Sequence, residues 1–204
     1  MRMRFKPYAH DELMAADFHV HEPLIWGGKW HAQYARPEQP FVLELGCGKG
    51  GFLSQLACAH PENNYLGIDI TDKVLILAKR KIEAAYQEAV NLVLPVALSS
   101  REEQLTYIAA ALRERFDSGM SYSMDADHYN DPYGYFVLGS ASCAGCTRAT
   151  GLCLNVLGIP YEHVNENQYS HQWCRVPVGD TYWICDAYGL YCGPEPAPYQ
   201  HPYL

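Results

Sequence analysis

Apolar and polar positions follow two different rhythms along the chain. The apolar run FVLEL (41–45) reads as a short buried strand, and the glycine-rich turn GCGKGG (46–51) follows it at once. FLSQLACA continues as a helix and NYLGIDI (64–70) as a second strand. TDKVLILAKRKIEAAYQEA (71–89) alternates with helical period, capped by Thr71 or Asp72 and carrying Lys79, Arg80 and Lys81 on its exposed side. Together these form a β-α-β-α unit with glycines in its first strand-to-helix turn. VNLVLPVALSS (90–100) contains Pro95, which removes a ladder donor, so it reads as a junction or edge element.

Beyond the junction the pattern changes. Ser99 or Ser100, with Glu102 and Glu103, opens a helix to about Phe116 whose Leu105, Ile108 and Leu112 share one face. Residues 117–134 are polar and turn-rich and read as loop. Cys143 opens a helical run to Leu157, with Gly158 as its C-terminal cap and Pro160 after it. QWCRVPV (172–178) and TYWICDA (181–187) alternate like strands around Gly179-Asp180, a two-residue hairpin turn. That turn pairs Val178 with Thr181. It therefore sets Trp173 opposite Asp186 and Cys174 opposite Cys185, and puts His171 one diagonal step from Asp186 on the same face. Such diagonal neighbours stand roughly 7–8 Å apart, within side-chain reach. One extra turn residue would break this register.

Composition sharpens the division. Of 204 residues 49% are apolar, enough for a core, and the length fits one medium or two small domains. Residues 1–89 carry 10 Lys+Arg against 11 Asp+Glu, whereas residues 90–204 carry 5 against 12, giving most of the net charge of −8. The acidic second part disfavours a nucleic-acid partner there, because phosphate contacts need cations. The basic start MRMRFKP is not followed by an apolar run, and no stretch is long enough to span a bilayer, so a soluble cytoplasmic chain with no membrane partner is expected. Six of the eight cysteines fall after residue 90, and without an export signal they are read as thiols.

The turn after the first strand admits two ligands. Gly46, Gly48 and Gly51 fit the dinucleotide pattern G-x-G-x-x-G, with Asp69 placed for a ribose hydroxyl. Glu44, Gly46, Gly48 and Gly50 equally fit E-x-G-x-G-x-G, in which an acid near the first glycine suits the ammonium end of S-adenosylmethionine, the preferred reading. MRMRFKP, GGKW (27–30), LELGCGKGGF (43–52) and YLGIDI (65–70) resemble the N-terminal part of bacterial tRNA (guanine-N7)-methyltransferases. The resemblance implies a Rossmann-like α/β fold with Glu44, Gly46 and Asp69 at the cofactor. Such enzymes continue with an acidic pair and a D-P-W-type motif followed by a basic run. Here Asp131-Pro132-Tyr133 is only an echo, followed by GYFVLGSA. The segment reads as an incomplete methyltransferase fragment, able to act on tRNA only if a partner completes it.

In the second part, a cysteine at a helix N-terminus, where amides and the helix dipole favour a thiolate, precedes a His–Asp pair on one sheet face. Those are the residue types of a thiol nucleophile, its base and its orienter. C-A-G-C-T-R-A-T-G-L-C-L-N-V-L-G-I-P from Cys143, then His171-Gln-Trp, then Trp183-Ile-Cys-Asp186, resembles the transglutaminase-like core. That resemblance implies a papain-like α+β fold in which Cys143, His171 and Asp186 are catalytic and no cofactor is needed, with a protein or peptide amide as substrate. Cys146 and Thr147 depart from the family's aromatic and alanine. Competing readings of the same residues are a zinc site from Cys143, Cys146, Cys185, Cys192 and His171, and purely structural thiols. Asp125, Asp127, His128 and Asp131 form an acidic loop that is read as solvated rather than cation-binding.

The sequence-level expectation is therefore two segments, 1–89 and 90–204. The leading function is cysteine-dependent acyl transfer on amide bonds by Cys143, His171 and Asp186, without a metal. The alternatives are S-adenosylmethionine-dependent tRNA (guanine-N7) methylation and a non-catalytic binding module.

Overall fold

A computed structural model describes residues 6–60, 62–166 and 168–198. It divides the chain into compact units Met1–Glu83 and Ala84–Leu204. The division falls inside a helix rather than at a loop near residue 90.

In the first unit, helix α1 (Ala9–Met14) leads to strand β1 (Phe41–Leu45), helix α2 (Gly51–Ala59), strand β2 (Asn64–Ile68) and the start of helix α3 (Asp72–Val93). Strands β1 and β2 pair in parallel with Phe41 opposite Asn64 and Leu45 opposite Ile68. Parallel neighbours need a crossover, and α2 supplies it. Ala9 and Leu13 of α1 pack on Ile76 of α3 to make a small core, and Arg80 reaches Glu12 through two hydrogen bonds. Among the described residues this sheet has two strands. It leaves Leu43, Leu45, Ile68 and Ile70 exposed, Ile70 almost completely. A buried parallel sheet would cover such residues on both faces.

The second unit begins within α3, which continues to Val93 and ends in a 3-10 turn at Leu94–Val96. The expected junction strand is thus a helix end. Pro95 sits in the first turn of the 3-10 segment, where its missing N–H costs nothing. Helix α4 (Arg101–Asp117) starts in a capping box: the Ser100 hydroxyl accepts from the Glu103 amide, and the Glu103 carboxylate accepts from the Ser100 amide. Leu105, Ile108 and Leu112 are fully buried, as their shared face requires. The polar stretch after α4 carries strand β3 (Ser121–Tyr122), a π-turn at Gly134–Leu138 and strand β4 (Ser140–Ala141), which pairs in parallel with β3.

Helix α5 (Cys143–Val156) follows. Gly158 adopts φ 66° just past its end, and the Ile159 amide returns to the Leu154 carbonyl to close the C-terminus. A four-stranded antiparallel sheet then forms from β5 (Glu162–Val164), β6 (Trp173–Val178), β7 (Thr181–Asp186) and β8 (Tyr191–Pro194). The β6–β7 register is the one the two-residue turn dictates, with Val178 opposite Thr181 and Cys174 opposite Cys185. The core joins Leu105, Ile108 and Leu112 of α4 with Ala149, Cys153 and Leu154 of α5 and Cys174, Val176 and Cys185 of the sheet. This unit is α+β. Among the described residues no helix is long and apolar enough to cross a membrane.

Candidate functional site

Each unit carries one constellation of chemical interest. In the first, β1 delivers the chain into a turn where Gly46, Gly48 and Gly50 all take positive φ. Gly50 is the most constrained: at φ 71° a Cβ there would stand 2.9 Å from the Ala78 Cβ. The turn is held from inside. The Gly46 and Cys47 amides donate to the Ile68 carbonyl at 2.7 and 3.0 Å. The Gly48 amide donates to Asp69 Oδ2 at 3.1 Å, and the Thr71 amide and hydroxyl donate to Asp69 Oδ1. Burial opposes ionisation of Asp69, but these donors hold its carboxyl below the usual range. Asp69 is thus a clamp on the turn.

Three loop amides are therefore spent within the protein, which leaves a poor cradle for a dinucleotide pyrophosphate. Two features point outward. No heavy atom lies within 4 Å of a Cβ built on Gly46, so the turn's outer side is open. Among the described residues Glu44 Oε2 is buried with no hydrogen-bond partner. A carboxylate oxygen left unsatisfied away from water is costly, and a cationic donor would relieve that cost. The ammonium group of S-adenosylmethionine is such a donor, so Glu44, Gly46, Gly48, Gly50 and Asp69 fit that cofactor better than a dinucleotide.

In the second unit, Ser142 caps α5, its side chain accepting from the Gly145 amide, and this places Cys143 in the first turn. His171 and Asp186 are both buried, and His171 Nε2 lies 2.6 Å from Asp186 Oδ2. Asp186 Oδ1 accepts from the Gly189 amide at 2.7 Å, so the carboxylate is held at both oxygens. Burial raises the Cys143 thiol, but hydrogen bonds from His171, the Gln172 amide and the Tyr122 hydroxyl outweigh it and lower its pKa. Burial disfavours the charged His171 ring, yet Asp186 and the Cys143 sulfur push it up to about 9. Cys143 and His171 line a cavity of about 610 Å³, and Asp186 holds His171 from outside that lining.

Tyr122 and the Gln172 amide went unnoticed in the sequence. Tyr122 reaches Cys143 because β3 pairs with β4, one residue before the cap, setting Tyr122 beside Ala141. Tyr122 stacks on Tyr188 at 5.1 Å, and Tyr188 lies 6.1 Å from the His171 ring. Thr147, one of the departures from the transglutaminase-like pattern, donates to the carbonyls of Cys143 and Gln172 and so ties α5 to the start of β6.

The rival zinc reading does not assemble: Cys146 belongs to the core cluster while Cys143 lines the cavity. Among the described residues no group of three His, Cys, Asp or Glu could hold a metal. In the acidic loop, Asp131 is buried and binds His128 Nδ1 at 2.6 Å and the Gly134 amide at 2.9 Å, so it caps the π-turn.

Comparison with known proteins bears on the first constellation. Residues 38–108 match the model of a family described as "putative methyltransferase", and the glycine turn with its flanking strands lies inside that match. The parallel β1-α2-β2 arrangement inside that match is consistent with a Rossmann-like fragment. The chain is 52% identical over 88 residues to a tRNA (guanine-N(7)-)-methyltransferase of Clostridium perfringens strain SM101, covering 43% of this chain and 40% of that protein. It is 50% identical over 88 residues to the protein of the same name from Ruminiclostridium cellulolyticum, covering 43% and 37%. It is 46% identical over 86 residues to the one from Acetivibrio thermocellus, covering 42% and 39%. The chain thus spans about 40% of the length of these curated relatives.

These matches overturn the leading functional expectation. The matches speak against cysteine-dependent acyl transfer on amide bonds, and with it a transglutaminase-like enzyme, and favour the methyltransferase alternative. The residues behind that expectation do lie near one another: His171 bonds Asp186, and Cys143 and His171 line the same cavity.

Proposed function

We propose that the first unit binds S-adenosylmethionine and contributes the donor half of a methyltransferase acting on guanine N7 of tRNA. The observation that carries this reading is the buried, unpartnered Glu44 Oε2 beside the open face of the Gly46 turn. When bound, this cofactor supplies an electrophilic methyl group on a sulfonium. Glu44 accepts hydrogen bonds from its ammonium, and Asp69 keeps the turn in shape through the Gly48 and Thr71 amides. The acceptor half of the reaction is not encoded after residue 89: neither a D-P-W-type motif nor a basic run follows, and that part is strongly acidic. The remaining strands, the guanine pocket and a cationic surface for tRNA would then have to come from outside residues 1–204, and a partner polypeptide is one such source. For the second unit we infer a papain-like placement of α5 against β6 and β7, supported by the position of Cys143 at the helix start and Asp186 at the strand end.

Calorimetric titration of the full chain tests the cofactor assignment. Half an enclosed cleft should bind S-adenosylmethionine with a Kd of roughly 0.1–1 mM. Glu44→Gln should weaken that binding by about tenfold or more, the worth of one charge-assisted hydrogen bond. NAD should give no heat. Absence of heat from S-adenosylmethionine at millimolar concentration would overturn the assignment.

A further inference from the structure

We propose that Cys143 is a thiol-exchange site that forms mixed disulfides with small-molecule disulfides, with Tyr122 as the residue that positions its sulfur. Nothing in the methyltransferase reading uses this cluster, and the proposal stands independently of it. The cavity is lined by Tyr122, Tyr129, Gln168, Ser170 and Tyr188 around the partly exposed Cys143. Cys143 borders this cavity and is partly exposed, unlike Cys146, Cys153, Cys174 and Cys185, which are buried. The groups facing Cys143 come from two places in the chain: His171 and the Gln172 amide just before β6, and Tyr122 of β3. Asp186 of β7 faces His171 from behind. His171, the Gln172 amide and the Tyr122 hydroxyl each donate toward the sulfur, an environment that stabilises a thiolate.

The step balances without a metal or external base. The Cys143 thiolate attacks one sulfur of a disulfide; the new S–S bond forms as the old one breaks, and the leaving thiolate takes the proton held on His171. The small disulfide is the oxidant, one half leaving as the reduced thiol. No acyl intermediate and no amide bond is involved. Exchange of this kind is fastest for a thiol that is ionised at ambient pH yet still nucleophilic.

The test uses the full chain with glutathione disulfide, read by intact mass and peptide mapping. At pH 6.5 the mixed disulfide at Cys143 should form at least tenfold faster than on an unstructured cysteine peptide. As pH rises from 6.5 to 8 its rate should climb less steeply than that of an ordinary thiol, which gains about tenfold per unit. Cys143→Ser should abolish the fast reaction and Cys192→Ser should retain it. Tyr122→Phe should move the acid limb of the rate profile to higher pH, an effect that a purely structural role would not produce. A Cys143 rate that climbs like the peptide's, or a fast phase that persists in Cys143→Ser, overturns the site. An unmoved profile in Tyr122→Phe overturns the role of Tyr122.

Discussion

Replacing Cys143 by serine should change how stability depends on pH. In the native protein His171 is pushed up to about 9 from an unfolded value near 6.5, so taken alone its stabilisation is complete below about pH 6.5 and is lost as pH rises towards 9. Cys143 is shifted the other way: its stabilisation is present above the unfolded thiol value of about 8.5 and is lost as pH falls through the lowered native one. Where the native thiol has ionised and the imidazole is charged, the native pair holds one proton on the imidazole, and the unfolded pair holds one on the thiol. There the two slopes oppose each other, so the pair adds less pH dependence than His171 alone would. Cys143→Ser removes one side of the balance. Asp186 still raises His171, so the variant should lose up to about 1.4 kcal/mol per pH unit from pH 6.5 upward relative to wild type. Urea unfolding at several pH values measures this, with Trp173 and Trp183 reporting in a Trp26→Phe, Trp30→Phe background. Parallel stability curves for the two proteins would refute the ion-pair assignment.

Two further substitutions probe the scaffolds. Gly50→Ala puts a side chain at φ 71° and 2.9 Å from the Ala78 Cβ, so the first unit should lose about 1–3 kcal/mol, seen as an earlier thermal transition. Ser100→Ala removes the hydroxyl half of the α4 capping box and should cost the second unit about 1 kcal/mol in urea unfolding with an unchanged m-value.

What could be read in the sequence follows from which interactions are local. The β6–β7 register was legible because a two-residue turn leaves the pairing no freedom, and alternation fixes which face is buried. The α4 face and its cap were legible for the same reason. Strands β5 and β8 were not: Glu162–Val164 and Tyr191–Pro194 are short, and pairing with a neighbouring strand defines them rather than their own pattern. Tyr122 was invisible because its contact with Cys143 depends on β3 meeting β4 some twenty residues away. The division at Glu83 was hidden because helix propensity continues smoothly across it to Val93. Glu44 was found by spacing, but only the structure shows its oxygen stranded without a partner. The acyl-transfer expectation failed at another level: His171 and Asp186 do meet at 2.6 Å, but the chemistry borrowed for them from a resemblance was overturned by the methyltransferase matches.

The two-stranded sheet has a consequence for the life of the protein in a cell. Pairing β1 with β2 closes a loop of more than twenty residues for five facing pairs, and Leu43, Leu45 and Ile68 remain wet when it is done. A segment with that balance forms late and reopens often. Each opening presents an unpaired strand edge with apolar side chains, the signal that quality-control chaperones and proteases read. Steady-state abundance of this chain should therefore follow how quickly that edge is covered.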